Sequence, residues 1–115
     1  MINLTEFLKA LSDETRLRIM VLLSQKEMCV CEICEVLDES QPKVSRHLAK
    51  LRDAGLVRDN RQGQWVFYYV NLENKTASEI LNIIISNIDE HIVLKNDRNK
   101  LVEKISKGTM CSREG

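Results

Sequence analysis

The chain has 115 residues, 43% of them hydrophobic and 30% charged, with a formal net charge of zero, and this length fits one domain. It lacks a run of about 18 apolar residues, which excludes a helical membrane span, and the acidic and polar residues of "MINLTEFLKALSDE" are unlike a secretory signal, so a cytoplasmic location with reduced thiols is expected. The neutral total hides an asymmetry: residues 1–40 carry four basic and eight acidic side chains, whereas residues 41–70 carry six basic (Lys43, Arg46, Lys50, Arg52, Arg58, Arg61) and two acidic (Asp53, Asp59), a confined basic block of the kind that phosphate contact requires.

Leu4, Phe7, Leu8 and Leu11 recur at helical spacing and predict a first short helix. "SDETRLRIMVLLSQ" predicts a second, capped by Ser12 or Asp13, with Leu17, Ile19, Met20, Leu22 and Leu23 as a wide apolar face. A short helix is expected near 30–37, ended by the polar turn Asp38-Glu39-Ser40. Ser40 suits the N-cap of the next helix and Pro42 its first turn; that helix should run to about Ala54 and stop at Gly55. Within it Val44, Leu48 and Leu51 share one face, while Lys43, Arg46 and Lys50 gather on the opposite one, which suits a major groove.

"LVRDNRQGQWVFYYV" predicts a β-hairpin whose strands flank Arg61-Gln62-Gly63, with Gly63 as the left-handed residue. Trp65, Phe67 and Tyr69 are expected to pack in the strand rather than stack on bases. "ASEILNIIISNIDEHIVL" reads as one long helix whose Ile80, Leu81, Ile83, Ile84, Ile85, Ile88, Ile92 and Val93 cover more than one face. This surplus of apolar surface points to a homodimer, with Leu4, Leu8, Leu81, Ile84, Ile85 and Ile88 as candidate interface residues. The expected fold is mainly α with a small β-hairpin wing, a dimeric winged helix-turn-helix. Residues 1–95 would form the DNA-binding and dimerisation domain, and 96–115 a C-terminal helical extension and polar tail.

With that order of elements, "FLKALSDETRLRIMVLL", "CVCEIC", "SQPKVSRHLAKLRDAGLV" and "RQGQWVFYYV" resemble the ArsR/SmtB family of metalloregulatory repressors, and most of all its arsenic-responsive branch, over roughly residues 4–95. The resemblance implies a homodimeric winged-helix repressor that binds double-stranded operator DNA and lets go when a toxic metal or metalloid binds. It further implies repression of a resistance operon and of the protein's own gene, with no enzymatic activity. The zinc-sensing branch is a poorer match, since Asp89-Glu90-His91 imitates only the first half of its site and no histidine follows. Cadmium/lead sensors add a cysteine from an N-terminal extension, and no cysteine precedes Cys29 here.

Cys29, Cys31 and Cys34 are three of the chain's four cysteines. Soft thiolates select soft ions and metalloids, and As(III) or Sb(III) takes three sulfurs where structural zinc takes four. The expected inducer is therefore As(III) or Sb(III), ahead of Cd(II), Pb(II) or Zn(II), and no constitutive cofactor is expected. On a regular helix Cys29 and Cys31 point about 160° apart, so either Cys29 precedes the helix or binding unwinds its first turn. The competing readings are inert core packing, a Cys31-x-x-Cys34 oxidoreductase lacking its usual preceding strand, a zinc module that adds Cys111, and a thiol-based redox or sulfide-responsive repressor. Cys111 itself reads as a bystander thiol. For DNA, Gln41 and Arg46 can read bases and Lys43 and Lys50 hold phosphate, with Ser45 added by the family pattern and Arg61 and Gln62 reaching the flanking backbone or minor groove. His47 borders the apolar back of the helix and suits packing, phosphate or base contact.

Overall fold

Two capped helices begin the fold. Asn3 caps α1 (Leu4–Leu11), its Oδ1 accepting from the Glu6 N–H at 2.9 Å, and Asp13 caps α2 (Glu14–Leu23), its Oδ2 accepting from the Arg16 N–H at 3.0 Å. Each side chain satisfies an N–H that has no partner within its own helix. The computed structural model describes residues 3–108, and among them no helix is long and apolar enough to cross a membrane. Phe7 and most of the α2 apolar face (Ile19, Met20, Val21, Leu22) are buried in the core, but Leu4 and Leu8 remain 40% and 48% exposed.

A two-residue strand, β1 (Met28–Cys29), leads into α3 (Val30–Leu37) and, after a three-residue turn, α4 (Gln41–Asp53). The end of α4 is a Schellman motif: Gly55, at φ +81°, donates to the Arg52 carbonyl and Leu56 to that of Leu51, each at 2.9 Å. Leu51 and Leu56 are both fully buried, the apolar contact that accompanies this motif. The hairpin follows as β2 (Val57–Gln62) and β3 (Trp65–Val70), which lies between β1 and β2 in an antiparallel sheet. Gln62 pairs with Trp65, so the turn is Gly63-Gln64, with Gly63 at φ +65°. Arg61 and Gln62 therefore end a strand rather than form the turn. Phe67 is buried and Trp65 and Tyr69 half-buried, in keeping with packing roles.

The single long helix expected at the C-terminal side is two. Helix α5 (Lys75–Ser86) ends where the Asn87 side chain folds back, Nδ2 donating to the Ile83 carbonyl at 2.8 Å, and a 3-10 turn (Ile88–Glu90) leads to α6 (Ile92–Lys107). Residue 95 lies inside α6, which packs Leu94 and Leu101 into the core and contacts α2 and α3. Leu81 and Ile88, 3% and 2% exposed, face the protomer's own core. Within the single chain they therefore leave little surface for a partner, unlike the exposed Leu4 and Leu8.

The Arg16 N–H, with burial opposing it, holds the Asp13 carboxyl below its usual range. Its stabilising contribution is present above the ordinary carboxylate pKa of about 3.9 and is lost as pH falls through the lowered folded-state value. Asp13→Ala should cost about 1 kcal/mol at neutral pH, measured as a lower urea midpoint at fixed protein concentration, and the difference should shrink as pH falls below the ordinary carboxylate range.

Candidate DNA-reading face and thiol cluster

The helix-turn-helix is made by α3, α4 and the turn between them. Asp38 adopts the left-handed conformation (φ 55°, ψ 47°), and the N–H groups of Asp38 and Glu39 both donate to the Cys34 carbonyl, Glu39 at 3.3 Å. An aspartate tolerates this conformation better than most residues. Ser40 Oγ then accepts from the Lys43 N–H at 3.4 Å to start α4. Val44, Leu48 and Leu51 are at most 1% exposed and press α4 onto the core.

Gln41, Arg46 and Lys50 are exposed on the outer face of α4, and Arg61 and Gln62 are exposed at the end of β2 near the hairpin turn. Ser45 is half-buried. Lys43 is also half-buried, and its Nζ lies 3.0 Å from Glu39 Oε2. His47 is only 8% exposed, with Nδ1 3.5 Å from Arg16 Nη1 and 3.9 Å from Asp13 Oδ2. Burial pushes its pKa down while Asp13 opposes. Its burial fits packing, the first of the three options open from sequence. Arg52 Nη1 stands 3.6 Å from Asp59 Oδ2, which joins α4 to the hairpin.

Cys29 precedes the helix, the first of the two alternatives that i, i+2 spacing leaves. It is the N-cap of α3 in an extended conformation (φ −82°, ψ 166°) and pairs with Phe67 across the sheet. Its N–H donates to Glu32 Oε1 at 3.1 Å, and its sulfur faces the Glu32 N–H, so the two residues form a capping box with sulfur in place of the usual hydroxyl. Cys29 is 4% exposed, Cys34 is half-buried and packs against the core, and Cys31 is exposed in the first turn of α3. Cys29 and Cys34 are free thiols. Among the described residues no three His, Cys, Asp or Glu side chains are gathered as a metal site. The donor chemistry thus fits a soft three-coordinate guest, while the sulfurs are not yet brought together. Cys111 lies outside the described residues.

Sequence reasoning missed Glu32, which is 1% exposed. Its signal was the x-x-Glu spacing after Cys29, obscured because cysteine is not a usual N-cap. It also missed Arg18 and Asp97, joined by two 2.9 Å hydrogen bonds. No local pattern marks a pair of residues so far apart in the chain.

Residues 13–59 match the family model described as "Bacterial regulatory protein, arsR family". Over 64 residues the chain is 58% identical to the arsenical resistance operon repressor of Escherichia coli (strain K12), a match that covers 55% of each protein. The chain thus spans about half the length of that curated relative. It is 46% identical over 80 residues to the uncharacterized HTH-type transcriptional regulator MJ1325 of Methanocaldococcus jannaschii, covering 69% of this chain and 88% of that protein. Among solved structures, the homodimeric winged helix-turn-helix DNA-binding domain of Mb0332 from Mycobacterium bovis, a possible ArsR-family transcriptional regulator, superposes with a TM-score of 0.62 at 27% identity, covering 76% of this chain and 80% of that one.

The exposures set an order of thiol reactivity. Burial pushes the thiol pKa of both Cys29 and Cys34 up, and the thiolate is the reactive form. In reducing buffer, timed iodoacetamide labelling read by peptide mass spectrometry should modify Cys31 first, Cys34 next and Cys29 last. Labelling of Cys29 as fast as Cys31 would mean that the cap stands open in solution.

Proposed function

The chain belongs to the arsR family of bacterial regulatory proteins, and on that premise we propose that it is a cytoplasmic, homodimeric repressor of a metalloid-resistance operon that leaves its operator when As(III) or Sb(III) binds Cys29, Cys31 and Cys34. The observation that carries the reading is the position of Cys29, which is at once a residue of the wing's sheet and the N-cap of α3. Drawing its sulfur toward Cys31 and Cys34 opens the capping box and loads both the wing and the first helix of the helix-turn-helix. A ligand shifts a DNA-binding equilibrium only through differential affinity for the two states. The reading therefore requires that the form without DNA give up the cap at less cost than the operator-bound form.

In this reading α4 lies in the major groove. Gln41 and Arg46 meet base edges, Lys43, Ser45 and Lys50 meet phosphate, and Arg61 and Gln62 on the wing meet the flanking backbone or minor groove. The partner protomer covers Leu4, Leu8, Ile84 and Ile85, together with Ile83, which is 62% exposed on α5. Helices α1 and α5 touch one another, so these side chains can form one patch. Two reading helices on a two-fold axis would match a pseudo-palindromic operator.

The exposure of Cys31 three residues from the free thiol of Cys34 supports a second reading, a thiol-redox or sulfide-responsive repressor that keeps the same DNA-binding parts. Operator binding in reducing buffer, titrated separately with arsenite, antimonite, cadmium and zinc, separates the two. Release by arsenite or antimonite is expected, and loss of binding only after oxidation would transfer the function to the second reading. Arg46→Ala should weaken operator binding by about 5- to 150-fold, the worth of a bidentate base contact of roughly 1–3 kcal/mol, with the dimer intact by sedimentation. Cys29→Ser should bind the operator yet fail to leave it when arsenite is added; normal release by that variant would remove Cys29 from the site.

A further inference from the structure

An ion pair remote from the reading face connects the last helix to it. Asp97 on α6 is 6% exposed and receives Arg18 Nε on Oδ2 and Nη2 on Oδ1, both at 2.9 Å. The same Nη2 also donates to the carbonyl of Leu37, the last residue of α3, at 3.3 Å, and Nη1 stands 3.8 Å from Glu39 Oε2 in the turn. That Glu39 oxygen is the one 3.0 Å from Lys43 Nζ. A line of polar contacts thus runs from α6 through α2 and the end of α3 to a cation of α4.

The links differ in stiffness. A guanidinium held by both oxygens of one carboxylate has its plane fixed, and the outer edge of its fork is aimed with it. The Asp97–Arg18 pair is also mostly shielded from water, with side-chain exposures of 8% and 16%, so screening weakens it less than a surface pair. Its outer edge meets α3 and the turn, the parts that set the angle between the two helices of the reading head. Glu39 is shared by Arg18 and Lys43, and its placement therefore decides where the Lys43 ammonium stands.

We propose that Asp97 is a positioning residue for DNA binding: by orienting Arg18 it places Glu39, and through Glu39 it sets where Lys43 meets a DNA phosphate. The inference rests on the reading of α4 as the DNA-contacting helix. It gives α6, which contributes nothing to the reading face, direct leverage over operator affinity.

The test is a double-mutant cycle on the full chain in reducing buffer, with operator affinity measured across a range of salt concentrations. Asp97→Asn should weaken binding about five-fold through coupling of ordinary size and reduce the salt slope by about 0.9, one phosphate contact. In a Lys43→Gln background the same change should alter neither quantity. An Asp97→Asn loss that is equal in both backgrounds and leaves the salt slope unchanged would mark a purely structural residue and overturn the proposal. Should Asp97→Asn fail to fold, Asp97→Glu, which keeps the charge on a longer arm, makes the same comparison. If Lys43→Gln is itself without effect while Arg46→Ala weakens binding, the proposal falls and the reading of α4 stands. If neither substitution matters, the reading of α4 falls as well.

Discussion

The start of α3 is one residue wide. Cys29 closes β1 through its pairing with Phe67, ends the extended segment and caps the helix, so the sheet of the wing and the first helix of the helix-turn-helix meet at this residue. Glu32 makes that junction possible. Its carboxylate is almost fully enclosed, a position that is costly without hydrogen bonds, and it accepts the Cys29 N–H. A serine or threonine cap would give a similar helix start but no soft ligand. With sulfur in that place, the atom that caps the helix is also the one the proposed metalloid would draw away.

Midway along the same helix, Cys34 has a different role. The Cys34 carbonyl accepts the N–H groups of Asp38 and Glu39 and so holds the turn into α4, while its side chain packs against the core. Helix α3 therefore has thiol-bearing residues at both of its mechanical attachments, the wing at its start and the reading helix at its end. Under the proposed function, a guest drawing sulfurs from both places would pull on the frame of the helix-turn-helix. The interior around it is close-packed, and close-packed interiors transmit a displacement rather than absorb it.

The parts of the fold specified by neighbours in the chain were legible in the sequence. Asp13, Ser40 and Gly55 announce their helix ends through local chemistry, and Val44, Leu48 and Leu51 mark the buried side of α4 by spacing alone. The two-residue strand was not legible, because Met28–Cys29 has no period to detect and exists only through its pairing with β3. The break at Asn87 was hidden by isoleucines on both sides, which suit a helix throughout, while the side chain that stops it acts by bonding backward to Ile83. Leu81 and Ile88 show the related ambiguity: apolar spacing identifies a face but not which of two surfaces covers it. At the site, the residue types of the thiol cluster were readable, whereas its enclosure by Glu32 and the sheet required tertiary structure.

Charge is distributed to match that architecture. Of the six cations in residues 41–70, Lys43 is paired with Glu39 and Arg52 with Asp59, while Arg46, Lys50, Arg58 and Arg61 are exposed. The acidic N-terminal third offsets these cations in the total, so the field far from the protein is weak and attraction for nucleic acid is confined to short range. Binding that depends on a few positioned cations is sensitive to their geometry, because one phosphate contact is a large share of a small total. A strongly basic protein could lose the alignment of one helix and remain bound to DNA nonspecifically. In a neutral one, a small displacement of α4 moves a large share of the exposed cations at once, and under the proposed function that is the change by which a bound metalloid would release DNA.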